Sequence, residues 1–181
     1  MRIVAGSRRG AKLYTGKIAG FRPTSDRVRE SIFSILGDRV TGARVLDLFA
    51  GSGALGFEAL SRGAAETLFV ERRRTVVRWI ERNGFALRFE GLWSAITGDA
   101  LEILAKKGRI DGYDLVFADP PYRGGFIGPV LRKLGALPGS RLVVIERDMR
   151  EEPEGAAVTW TESRRYGDTV VDFLLAGKEA G

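Results

Sequence analysis

From residue 44 onward, short uninterrupted apolar runs alternate with segments whose apolar residues recur every three or four positions. The runs at residues 44–50, 67–71, 92–97, 113–118 and 141–146 read as strands, and the segments at 53–62, 74–89, 100–107 and 125–134 as helices between them. Two more strands are predicted at 157–162 and 169–176. In the longest helical segment Val77, Ile80 and Leu87 mark the apolar side, and Asn83-Gly84 is a candidate break. Strands that are apolar throughout, separated by amphipathic helices, imply a sheet covered on both faces. The expected fold is a doubly wound, Rossmann-like α/β domain with a mostly parallel sheet.

Residues 1–40 do not share this rhythm. Residues 2–5 and 11–15 are expected to pair as a short hairpin around Gly6-Ser7-Arg8-Arg9-Gly10. A helix over 24–37 follows, with Thr24 or Ser25 as its cap, Asp26 in the first turn and Val28, Ile32, Phe33 and Leu36 as one stripe that Gly37 ends. The expected organisation is a basic extension, residues 1–40, packed on a main domain of residues 41–181.

Charge sharpens that division. Residues 1–40 hold nine of the 29 Lys and Arg but three of the 23 acids, whereas residues 41–181 hold twenty of each sign. The surplus of +6 therefore belongs to the extension, which suits either a polyanion-binding arm or an Arg-rich solvated surface. Cysteine and histidine are absent. Their absence excludes a thiolate nucleophile, a Cys-based zinc site, Ser-His-Asp hydrolysis and histidine general-base chemistry. With no apolar run of membrane-spanning length and no signal-peptide pattern at Met1-Arg2-Ile3-Val4, a cytoplasmic protein is expected.

Asp119-Pro120-Pro121-Tyr122, directly after the run Leu115 to Ala118, carries the candidate chemistry. A residue before proline is held extended, which aims the Asp119 carboxylate outward. The prolines remove competing N–H groups while the Pro120 carbonyl remains an acceptor, and Tyr122 offers a flat face. These make a slot for a planar ring with an exocyclic amine; the competing reading is an ordinary turn. A second motif, Asp47 to Gly56, opens the first helix of the main domain with Ala50, Gly51, Ser52 and Gly53 in its loop. It reads as a nucleotide-cofactor loop, with Glu71 placed for ribose hydroxyls and Asp99 and the Ala100 amide for an adenine ring. Gly51-x-Gly53-x-x-Gly56 with Glu71 also satisfies the NAD fingerprint. Asp47 near the loop favours a cationic ligand such as S-adenosylmethionine over a pyrophosphate. Helix capping by Asp99 and a buried structural role for Asp47 are the alternatives.

Across nearly its whole length the chain resembles the bacterial methyltransferases that modify the exocyclic N2 of a guanine in 16S ribosomal RNA. The resemblance rests on Met1 to Gly6 with Arg9-Gly10 and Lys12-Leu13, on Arg22-Pro23-Thr24-Ser25-Asp26-Arg27-Val28-Arg29-Glu30, and on Leu46 to Gly56. Glu58 to Ala64, Glu71, Asn83, Asp119-Pro120-Pro121-Tyr122 and Tyr166-Gly167-Asp168-Thr169 add to it. Ser31-Ile32-Phe33-Ser34 departs from the family's Ala-Leu-Phe-Asn, and the usual proline near Thr15-Gly16 is missing. The resemblance implies a class I methyltransferase fold with a seven-stranded sheet, S-adenosylmethionine as cofactor, and no metal. It implies catalysis by Asp119, Pro120 and Tyr122 and cofactor binding by Asp47, Ala50, Gly51, Ser52, Gly53, Glu71, Asp99, Ala100 and Thr24. RNA contacts are expected from Arg8, Arg9, Lys12, Arg22, Arg27 and Arg29. The expected substrate is 16S ribosomal RNA or a small-subunit assembly particle, acted on by a monomer. A DNA adenine-N6 methyltransferase, a non-catalytic RNA-binding assembly factor and an NAD-dependent dehydrogenase are the rival readings.

Overall fold

The computed structural model describes residues 1–16, 25–106, 108, 110–152 and 158–177. Helix α1 (Asp26–Leu36) precedes β1 (Arg44–Leu48), α2 (Ala54–Ser61), β2 (Glu66–Glu71), α3 (Arg74–Leu87), β3 (Trp93–Thr97) and α4 (Ala100–Ala105). Then come β4 (Leu115–Ala118), α5 (Ile127–Gly135), β5 (Arg141–Asp148), β6 (Val158–Tyr166) and β7 (Thr169–Ala176). The strands form one seven-stranded sheet in the order β3-β2-β1-β4-β5-β7-β6. β1 to β5 are mutually parallel, and β7 runs antiparallel between β5 and β6. Strand order reverses between β1 and β4, so the helices leaving these strands go to opposite faces and open a crevice at the carboxyl ends.

Alternation along the strands sorts the core into two layers. Val45, Phe69, Phe117 and Val144 pack with α1, α2 and α3, whereas Leu46, Val70, Val116 and Ile145 pack with α4 and α5. The first layer includes Ile32, Phe33 and Leu36 of α1, so the segment before the sheet shares the main core. Ser25 caps α1, its Oγ accepting the Val28 N–H at 3.3 Å. Thr24, the other expected cap, lies outside the described residues.

The expected N-terminal hairpin is a short one: an antiparallel bridge of Arg2 with Lys12, flanked by the Ile3 N–H to the Ala11 carbonyl at 2.9 Å and the Leu13 N–H to the Met1 carbonyl at 3.1 Å, around a 3-10 turn at Gly6–Arg8. Beyond it, the backbone of Val4, Ala5 and Arg8 is engaged by α2. The buried Glu58 carboxylate accepts the Val4 and Ala5 N–H groups at 2.7 and 2.9 Å and pairs with Arg62 at 2.8 Å. Ser61 Oγ donates to the Ala5 carbonyl at 2.6 Å and accepts the Arg8 N–H at 3.0 Å. Gly6, at φ +80°, lies so close that a Cβ would stand 1.8 Å from the Ser61 carbonyl oxygen. Asn83 ties the far end: its Nδ2 donates to the Tyr14 and Ser52 carbonyls, both at 3.0 Å, and its Oδ1 accepts the Tyr14 N–H at 2.7 Å.

Contrary to expectation, α3 runs unbroken through Asn83-Gly84. A Cβ on Gly84 would sit 2.3 Å from the Trp93 ring, so this glycine lets α3 approach β3 rather than ending the helix. Helix propensity alone favours alanine there by about 1 kcal/mol. Overpacking against an indole costs about 1–3 kcal/mol in addition to the lost fit. We therefore expect Gly84→Ala to lower the urea midpoint; an unchanged or raised midpoint would contradict this packing role.

Candidate active site

A cavity of about 880 Å³ opens at the carboxyl ends of the parallel strands. Each of the five parallel strands delivers a carboxylate to its wall: Asp47 in β1, Glu71 ending β2, Asp99 just after β3, Asp119 just after β4 and Glu146 in β5. The volume accommodates a nucleoside-sized cofactor together with a planar base.

The glycine loop after β1 makes one side. Phe49 takes φ +57°, a conformation costly for a side chain with a Cβ, and Gly51 and Gly53 take φ +54° and +80°. The loop amides face acids. Gly51 N–H donates to Glu71 Oε2 at 3.2 Å, and Gly56 N–H donates to Asp47 Oδ2 at 3.0 Å. A pyrophosphate would need such amides for itself and would meet two carboxylates beside them. The acceptors beside the loop therefore suit a cation, as an ammonium or sulfonium of S-adenosylmethionine provides, better than a pyrophosphate. Gly56 serves packing, since its Cβ would lie 2.3 Å from Phe69.

Glu71 also accepts the Arg73 N–H at 2.9 Å. A carboxylate offers about four acceptor directions, so capacity remains for ribose hydroxyls. Asp99 caps α4, its Oδ1 accepting the Leu101 and Glu102 N–H groups at 2.9 and 3.2 Å, and it lines the cavity as well. The capping reading and the cavity reading thus hold together for one side chain. Ala50, Ser52 and Ala100 line the wall; Gly53 shapes the turn without lining it, and a Cβ there would lie 2.7 Å from the Phe57 ring.

On the opposite side, Asp119, Pro120, Pro121 and Tyr122 all line the cavity. Tyr122 is half-buried, and its hydroxyl donates to Glu146 Oε1 at 2.8 Å and lies 2.7 Å from Thr169 Oγ1 of β7. Burial, with Glu146 and Asp119 nearby, pushes this phenol well above its ordinary range, so it stays a neutral donor. Phe49 and Phe126, in edge contact at 5.3 Å between centroids, add an aromatic wall. Glu146, Phe49 and Phe126 were not anticipated from the sequence. For Glu146 the signal was present, an acid closing the apolar run Leu142 to Ile145.

The basic residues divide. Arg29 is fully buried, donating to the Arg2 carbonyl at 2.6 Å and to Asp26 at 2.8 Å, so it is a structural arginine and not an RNA contact. Arg8 is half-buried, held by the Leu87 carbonyl at 2.6 Å and the Phe89 ring. Arg9, Lys12 and Arg27 are exposed. Arg22, like Thr24, lies outside the described residues. Helix α3 adds exposed Arg74, Arg78 and Arg82, spaced by four and therefore on one face. Among the described residues, no cluster of three or more acids and other donors could hold a metal, and no helix is long and apolar enough to cross a membrane.

A family profile described as conserved hypothetical protein 95 matches residues 1–175. Ribosomal RNA small subunit methyltransferase D of Escherichia coli K12 is 36% identical over 183 residues, covering 99% of this chain and 91% of that one. The solved structure of yhhF from Escherichia coli, described as a methyltransferase, superposes with a TM-score of 0.85 at 33% identity over 98% of both chains. The fold extends to SMU.776, a methyltransferase complexed with SAH, with a TM-score of 0.69 at 16% identity over 89% of this chain and 51% of that one.

Burial holds the Asp47 carboxyl up to about 8, partly opposed by the Gly56 N–H and reinforced by Glu71. Between its ordinary value and 8 the folded chain keeps a proton that the unfolded chain has released, so this group's contribution to stability falls as pH rises through that window and is level above it. A cation binding beside Asp47 needs that proton gone. Affinity for S-adenosylmethionine is expected to rise about tenfold per pH unit below 8 and flatten above it, with Asp47→Asn binding weakly and without this dependence. Calorimetric titration across pH would reject this if the wild-type profile were flat.

Proposed function

The chain belongs to the conserved hypothetical protein 95 family, and from that premise we propose that it methylates the exocyclic N2 amine of one guanine in 16S ribosomal RNA. It is an S-adenosylmethionine-dependent ribosomal RNA methyltransferase. The reading includes a monomer acting in the cytoplasm on 16S RNA, free or within a small-subunit assembly particle, with residues 1–40 as the RNA-facing extension of the main domain. The observation that carries it is the meeting of Asp119-Pro120-Pro121-Tyr122 with the glycine loop across one carboxylate-lined cavity.

Asp47, Ala50, Gly51, Ser52, Glu71, Asp99 and Ala100 hold the cofactor, on a loop whose turn Gly53 makes, and Thr24 is assigned to the same task. When bound, S-adenosylmethionine supplies an electrophilic methyl group on a sulfonium. The Asp119 carboxylate and the Pro120 carbonyl accept the two N–H groups of the target amine. That pairing opposes delocalisation of the nitrogen lone pair into the ring and stabilises the positive charge that develops on nitrogen. Tyr122, fixed through its hydroxyl, supports the flipped base. No covalent intermediate on the protein is required, in keeping with a chain that lacks cysteine and histidine.

Loss of one preorganised acceptor at the reacting centre slows such steps by about a hundredfold or more. Asp119→Ala should do so with cofactor affinity little changed, measured by single-turnover methyl transfer; near-normal turnover would remove Asp119 from the mechanism. For RNA, charge reversal at Arg9, Lys12 and Arg27, or at Arg74, Arg78 and Arg82, should weaken binding and reduce the slope of log K against log salt by about one per lost phosphate contact. Fluorescence titrations with an unchanged slope would clear those residues of phosphate contact.

A further inference from the structure

An amine slot alone does not distinguish guanine from adenine, because both bases carry an exocyclic amine. They differ at the ring nitrogen beside it. Guanine presents N1–H, a donor, next to its N2 amine; adenine presents the N1 lone pair next to its N6 amine. A second acceptor placed beside the slot would accept the first and repel the second.

The sheet register supplies one. β4 pairs with β5 so that Phe117 faces Val144 and Ala118 faces Ile145, and Asp119 and Glu146 are the next residues along the two chains. Parallel strands lie about 4.8 Å apart, so the two chains are still close neighbours where β4 ends. Both carboxylates line the cavity, and Glu146 is 8% exposed. Its position is fixed by the Tyr122 hydroxyl at 2.8 Å, which is itself 2.7 Å from Thr169 Oγ1. With about four acceptor directions on a carboxylate, a bond from Tyr122 is compatible with another from a ligand.

We propose that Glu146 is the residue that selects guanine: its carboxylate accepts N1–H of the base while Asp119 holds the N2 amine. Tyr122 and Thr169 are positioning residues for it. The proposal rests on guanine N2 as the target. Adenine in the same slot would set its N1 lone pair against the Glu146 carboxylate, with no proton between them. Sites built around a buried polar partner reject analogues that cannot satisfy it by factors far above those of apolar pockets.

The test uses 2-aminopurine, which keeps the 2-amine of guanine but carries a lone pair at N1. Small-subunit RNA with 2-aminopurine in place of the methylated guanosine is compared with unmodified RNA by kcat/KM, using the full-length enzyme. The wild type should methylate the 2-aminopurine RNA at least about a hundredfold less efficiently. Glu146→Gln keeps an acceptor for Tyr122 and gains an N–H donor toward N1, so it should bring the two RNAs to within about tenfold, with affinity for S-adenosylmethionine unchanged. A merely structural Glu146 would lower both rates together and leave their ratio alone, which would overturn the proposal. A wild type that methylates both RNAs equally well would overturn it without recourse to any variant. A wild-type reaction that yields no N2-methylguanine would instead overturn the choice of target, and this proposal with it.

Discussion

Five parallel strands ending side by side bring five carboxylates to one cavity, and like charges so close repel unless something offsets them. Backbone N–H groups offset part of the repulsion: Gly51 serves Glu71, Gly56 serves Asp47, and the first turn of α4 serves Asp99. The Tyr122 hydroxyl serves Glu146. Asp47 meets the remainder by holding a proton up to about 8. What is left is a site whose carboxylates a cation or a donor-rich edge relieves. The same glycine loop on the same fold can cradle a dinucleotide; the acids around it decide otherwise here.

That arrangement is held by contacts outside the cavity. Ser52 of the glycine loop is tied through Asn83 to Tyr14, so the loop, α3 and the N-terminal segment are joined by one side chain. Glu58 and Ser61 bind the same segment to α2, the helix that the loop opens. The basic extension is therefore a structural support of the cofactor loop as well as a charged surface. Its arginines serve both purposes, Arg29 inside and Arg9 and Arg27 outside.

The parallel strands and their strand-end chemistry were legible in the sequence because uninterrupted apolar runs are the mark of strands buried on both faces, and each of these runs led into an acid or a glycine loop. Gly84 misled because glycine weakens a helix locally, while its reason here, the ring of Trp93 on β3, is tertiary. Arg29 misled for a similar reason: a guanidinium in a basic run looks solvated until the fold supplies the Arg2 carbonyl and Asp26 around it. Glu146 was legible by the strand-end rule that found Asp119. Its partner Tyr122 lies 24 positions away, and nothing in the sequence links the two until β4 and β5 are in register.

The most direct measurement follows a labelled methyl group from S-adenosylmethionine into nucleic acid. The protein is incubated separately with unmodified 16S RNA, small-subunit particles and duplex DNA, and the labelled nucleoside is identified after digestion. Label in N2-methylguanosine, from RNA or particle, is the expected result. Label in N6-methyladenine, or none in any substrate, would contradict the reading of this cavity as a guanine-amine methylation site.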